Sequence, residues 1–224
     1  VISHTLISIR GDMNSDRRTL SVHLMLLLMI SLAGAKPLYG QPGASEDNVV
    51  LYPFTKTPFV CAEHAAGEFS KLGDALGKDC MVIGMDSTRD ANRRIPSLFQ
   101  GDGMHNEDWF GWEEPVLAPC DGTVVSVDTN DQVNRPGEIP DRDVLQPASE
   151  IRFECQDGFN VVYAHVREIQ THSGESVSAG QQVALVGNNA VSKAPHVHLG
   201  AWKNDTPLQI RFDLHALGEL RGQN

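Results

Sequence analysis

The 224-residue sequence carries a formal charge of −11, with 41% hydrophobic and 21% charged residues. That composition is one of a globular chain with a single sizeable core and an appendage. Its acidic balance excludes the basic stripe that a phosphate-binding surface needs, and with it nucleic acid as a partner.

Arg17 and Arg18 precede an apolar run over residues 24–32 that ends in Ala33-Gly34-Ala35. A positive flank, a short apolar core and a small-residue exit predict a secretory signal peptide over residues 1–35, with an over-extended start before Met13. The run falls short of the roughly 20 apolar residues that cross a bilayer, so no membrane span is expected in the mature form. The protein is expected to be exported, to a periplasm or out of the cell. All four cysteines lie beyond this segment, as an exported disulfide framework requires. Three connectivities are open. The preferred one joins Cys61 to Cys80, closing the N-terminal segment, and Cys120 to Cys155, tying two predicted strands.

Residues 41–48 read as a polar linker. Residues 49–54 (VVLYPF) predict a short strand stopped by proline, residues 64–76 a single glycine-weakened helix, and residues 80–85 another strand. Residues 87–103 are left as loop. Pro115 to Pro119 leads into the turn pair Asp121-Gly122 and a strand over 123–127. Residues 129–149 form a long polar insert, of the length that usually serves function, and would build one wall of a cleft. Strands return at 151–155 and, after Asp157-Gly158, at 159–166, where His165 shares a face with Tyr163 and Val161. A glycine-turned hairpin over 174–188 follows. The sum is an all-β, mainly antiparallel fold. Its expected divisions are the signal peptide, a small irregular N-terminal extension over 36–100, and a β domain over 101–224.

The stretch APHVHLGAW, residues 194–202, carries the chemistry. Its period of two places His196 and His198 on one strand face while Val197 and Leu199 face the core. Two imidazoles fixed side by side suit a metal site, although H-x-H alone equally describes two surface histidines. Upstream, His105 and Asp108 stand in HNED and His165 in YAH. His64, His172 and His215 have no motif around them and read as unremarkable.

Taken together and in order, the histidine–aspartate pair, PVLAPCDGTVVSV, YAHV, the GESVSAGQQVALVGN hairpin and PHVHLGAW resemble the lysostaphin-type zinc metallo-endopeptidases, which cut peptide bridges in bacterial cell walls. The resemblance runs from about residue 101 to 213 and implies a duplicated hybrid motif (barrel-sandwich) fold. It implies one Zn²⁺ per chain, held by His105, Asp108 and His198, with His165 and His196 as catalytic groups flanking the attacking water. The substrate it implies is peptidoglycan stem or cross-bridge peptide. One spacing departs from the family: Asp108 stands three positions after His105, where the family has its aspartate four positions after the histidine. On a regular strand that sends the two side chains to opposite faces, so convergence requires a bulge or loop, with Glu107 as the spare ligand. The competing expectation is an inactive module of the same fold that binds or regulates wall enzymes.

Overall fold

The computed structural model describes residues 47–88 and 95–222, so the expected signal peptide lies outside the described residues. The first strands are β1 (Asn48–Leu51), β2 (Phe59–Glu63), β3 (Lys78–Val82), β4 (Gly84–Asp86) and β5 (Ile95–Ser97). After a 3₁₀ turn at Asn106–Asp108 come β6 (Pro115–Leu117), β7 (Gly122–Asp128), β8 (Glu150–Cys155), β9 (Asn160–Ala164) and β10 (Val166–Arg167). The last are β11 (Ser176–Val177), β12 (Gln182–Val186), β13 (Val197–Lys203), β14 (Thr206–Pro207) and β15 (Gln209–Phe212), followed by helix α1 (Leu214–Gly222).

The main sheet runs β11-β7-β8-β9-β13-β3-β2, with β14 appended to β13. Every pairing in it is antiparallel. A second sheet, β10-β12-β6, sets β12 against the proline-rich entry strand, whereas β11 pairs with β7 in the main sheet, so the two strands of the hairpin expected over 174–188 go to different sheets. Only β1 and β15, among the described residues, pair in parallel. The all-β, mainly antiparallel expectation holds.

Period-two apolar residues build the core between these sheets. Val124, Ile151, Phe153, Val161, Tyr163 and Leu199 are fully buried, and the Phe153 and Tyr163 rings meet edge to face at 5.4 Å. Each such side chain contributes about 1.5–3 kcal/mol by leaving water. β13 is central, with five consecutive residues buried from Val197 to Ala201. A strand so enclosed presents a rigid edge, and the functional histidines ride on it.

The boundary expected at residue 101 does not interrupt hydrogen bonding. β3 pairs with β13 in the register Val197↔Cys80, His198↔Asp79 and Leu199↔Lys78. β2 then pairs with β3, with Cys61 directly opposite Cys80. Both expected disulfides, Cys61–Cys80 and Cys120–Cys155, are formed. The first staples the hairpin next to Asp79. The double replacement Cys61→Ser/Cys80→Ser reopens a 19-residue separation. Chain entropy sets its expected cost at about 3 kcal/mol, read as a lower urea midpoint, with a somewhat larger m-value because the freed unfolded chain exposes more surface.

Two local expectations change. Residues 64–76 form successive turns instead of a helix. Gly67, Gly73 and Leu76 take positive φ, a conformation no α-helix accommodates. The expected 80–85 strand divides into β3 and β4 at Ile83, whose N–H makes the last bond of the β2–β3 ladder to Pro58 O, where proline has no N–H to return.

Candidate metal centre

β13 fixes the first ligand. His198 is 7% exposed and lies between β9 and β3, opposite Asp79. His196 precedes the strand in a bridge to Gly187, also buried. His165 sits at the joint between β9 and β10 with φ +63. That left-handed backbone costs on the order of 1–3 kcal/mol for a non-glycine residue and breaks the strand's alternation. Tyr163 and Val161 therefore face the core while His165 joins the other histidines at a groove. His64 arrives just after β2, beyond the Cys61–Cys80 staple.

Each of these four rings is tied through one nitrogen to a backbone carbonyl. His64 Nδ1 meets Asp74 O at 2.8 Å, and His165 Nδ1 meets Asn189 O at 2.9 Å. His196 Nδ1 meets Ala194 O at 2.8 Å, and His198 Nε2 meets Gly73 O at 3.0 Å. A carbonyl only accepts, so the ring nitrogen facing it carries the proton. In a neutral imidazole the opposite nitrogen then presents a lone pair.

Three of those lone pairs converge on one carboxylate. His198 Nδ1 lies 2.9 Å from Asp79 Oδ1, His196 Nε2 lies 3.6 Å from the same oxygen, and His64 Nε2 lies 3.6 Å from Asp79 Oδ2. Acceptors facing acceptors repel unless a cation, proton or metal, lies between them. Burial alone would raise the Asp79 carboxyl, but the hydrogen bonds and charges of His196 and His198 outweigh it and hold it far below the ordinary carboxylate range. Burial would likewise lower His198; its bond to Asp79, that carboxylate's charge and the Gly73 carbonyl reverse the effect and raise it. Burial, then repulsion from His196, pushes His165 down to about 3. His165 is thus neutral at neutral pH, with an open acceptor nitrogen.

The donor set fits a catalytic metal. His64, Asp79 and His198 each offer one ligand atom, and these atoms lie within 4.8 Å of one another. Around tetrahedral zinc, ligand atoms at 2.0–2.2 Å stand about 3.4 Å apart, so a modest contraction closes the set. Three nitrogen or oxygen ligands leave a fourth position open, as catalytic zinc requires. The backbone carbonyls on the far side of each ring are the outer partners that orient such ligands.

The structure brings His165, His196 and His198 together as expected, but not His105 and Asp108. His105 is exposed and caps the 3₁₀ turn, its backbone N–H donating to Asp108 Oδ2 at 3.0 Å. Glu107, the spare candidate, is exposed on the same turn. None of these three lines the groove. The buried member of HNED is Asn106, which donates to Asn134 O and accepts from Asn188 Nδ2. HNED therefore anchors the polar insert to the loop before β13. Beside His198 stand His64 and Asp79 instead, the residues whose ligand atoms could close on one ion with it. His172 and His215 stay exposed, paired with Glu175 and Glu219.

The four histidines and Asp79 line a groove of about 1180 Å³. Pro147 and Ala148, at the end of the long insert, form part of its wall as expected. Phe69 stands against His64 with ring centres 4.6 Å apart, and Trp202 borders the other side of the 71–77 turn.

Residues 110–210 match Peptidase family M23. That span holds His165, His196 and His198 and excludes His64 and Asp79. An uncharacterized metalloprotease of Haemophilus influenzae is 31% identical over 84 residues, which are 38% of this chain and 15% of that protein. The matched segment thus spans a small part of that relative's length. Among solved structures, the catalytic domain of the prophage-encoded M23 protein EnpA from Enterococcus faecalis superposes with a TM-score of 0.41 at 20% identity. It covers 68% of this chain and 87% of that one. The catalytic domain of the antimicrobial peptidase lysostaphin from Staphylococcus simulans gives 0.35 at 19% identity, covering 70% and 84%. YAHV, residues 174–188 and PHVHLGAW all lie, in that order, inside the span that is similar to Peptidase family M23.

Proposed function

We propose that this protein is an exported zinc-dependent endopeptidase that hydrolyses peptide bonds in peptidoglycan stem or cross-bridge peptides. One observation carries the reading: four histidines, each anchored through one ring nitrogen, line a groove where three of them meet one ionised carboxylate. The match of residues 110–210 to a peptidase family supports hydrolysis, and the sequence resemblance supports wall peptide as the substrate. The two disulfides support export, because such bonds persist in oxidising compartments.

His64, Asp79 and His198 would hold the metal. When bound, Zn²⁺ supplies Lewis-acid chemistry, acidifying water and polarising a carbonyl. His165 and His196, with ring centres 4.7 Å apart, stand beside that position with unprotonated Nε2 atoms. One ring takes the proton of the attacking water at Nε2, and the ring so protonated donates to the developing oxyanion or to the leaving amine. The Asn189 and Ala194 carbonyls stabilise the resulting imidazolium from the Nδ1 side. The groove accepts an extended peptide across these rings.

The test is digestion of purified peptidoglycan by the zinc-supplied protein, with fragments read by mass spectrometry. New peptide amino termini, lost with a chelator and restored by zinc, are expected. Binding to the wall without any new terminus would overturn the endopeptidase reading in favour of the inactive binding module.

A further inference from the structure

Both metal histidines are held by one turn. His64 Nδ1 donates to Asp74 O and His198 Nε2 donates to Gly73 O, two consecutive carbonyls. The rings, stacked with centres 5.2 Å apart, are thereby fixed as opposite tautomers, the first protonated at Nδ1 and the second at Nε2. The turn is itself closed by hydrogen bonds. Asp74 N–H and Ala75 N–H both donate to Lys71 O at 3.0 Å, Gly77 N–H donates to Asp74 O at 3.0 Å, and His64 N–H donates to Gly77 O at 2.9 Å.

This turn lies directly on β13 above Gly200, two residues along the strand from His198 and on the same face. A Cβ at position 200 would stand 1.7 Å from Gly73 O and 2.4 Å from its carbonyl carbon. Backbone atoms cannot yield as a flexible side chain does, so the turn must lift. Gly200 is present for clearance, since its own φ is not positive. Gly73 is confined from below as well: its φ is +94°, and a Cβ there would meet Val162 Cγ1 at 3.0 Å.

We propose that residues 71–77 form a positioning turn for the metal centre, seated by Gly200, whose two consecutive carbonyls select the nitrogen that each metal histidine offers. The inference rests on the zinc-site reading above. Lifting the turn frees both rings to rotate and change tautomer, so the lone pairs no longer meet at Asp79. Loss of such outer partners weakens metal binding by about 10–100-fold.

The experiment compares wild type with Gly200→Ala, using Gly218→Ala as control, because a Cβ at position 218 meets nothing within 4 Å. Zinc affinity is read by competition with a chromogenic chelator, and imidazole tautomers by long-range ¹H–¹⁵N NMR on the zinc-loaded protein. Wild type is expected to show Nδ1–H on His64 and Nε2–H on His198. Gly200→Ala is expected to bind zinc at least ~10-fold more weakly. His165 and His196, whose acceptors lie off the turn, are expected to keep Nδ1–H in it. A merely structural defect would not single out two rings of four. Wild-type zinc affinity in Gly200→Ala, or the same tautomer on both metal histidines of wild type, would overturn the proposal. The wild-type spectrum decides even where Gly200→Ala does not fold. Wild type that takes up no zinc would instead overturn the zinc reading, and its metal-free spectrum would still report the turn.

Discussion

Asp79→Ala is expected to abolish zinc binding, and with it all hydrolysis, while His105→Ala and Asp108→Ala keep one zinc per chain. Asp79 supplies the negative charge on which His64, His196 and His198 nitrogens converge. Without it a divalent cation would sit among neutral imidazoles in a partly dry site, where uncompensated charge is costly. Removing an outer partner of a ligand weakens metal binding about 10–100-fold, and removing the ligand itself must exceed that. The side chain is half-exposed and does not belong to the apolar core, so the fold is expected to survive. Zinc per chain, measured on protein dialysed against a weak chelator, checks the result beside a thermal melt. A full zinc complement in Asp79→Ala, or loss of zinc in His105→Ala, would return the metal to the HNED turn.

That contrast marks where the sequence was legible. His196 and His198 could be found because a period of two is local: their spacing alone puts both rings on one side of β13. His165 was legible from its YAHV context, but its φ of +63 was not, and it is this backbone that frees the ring from the alternation of Tyr163 and Val161. The other two members of the candidate metal group were hidden because their convergence is non-local. His64 and Asp79 stand fifteen positions apart by their own numbering, with no recurring spacing, and meet only through the pairing of β2 with β3 and of β3 with β13. A signal did exist. Pairing Cys61 with Cys80 implies that Ala62 opposes Asp79, and His64 then follows on the same strand end. HNED misled for a physical reason too: its polar residues are used, but for capping a 3₁₀ turn and bonding Asn134 and Asn188, tasks that need the same residue types as ligation.

His196→Ala and His165→Asn are each expected to keep zinc and lose catalysis. Neither ring belongs to the ligand group, and each offers its free nitrogen to the groove beside it. General acid–base groups contribute about 10²–10⁴-fold, so kcat should fall by that factor in either variant with little change in KM. Asparagine is the replacement of choice at position 165, because it adopts the left-handed backbone that His165 occupies more readily than alanine does. It cannot accept a proton at neutral pH, so it separates the chemistry from the conformation. The double variant should be scarcely slower than the worse single one, since two groups that pass one proton act as a unit and their losses do not add. Steady-state rates on a defined wall peptide, with zinc content measured on the same samples, carry the comparison. If His165→Asn turned over at the wild-type rate, His196 alone would serve as base, and the strained backbone at 165 would have to be explained by its bond to Asn189. If either variant lost its zinc, that ring would be a ligand, and the division of four histidines into two that hold and two that move a proton would fall.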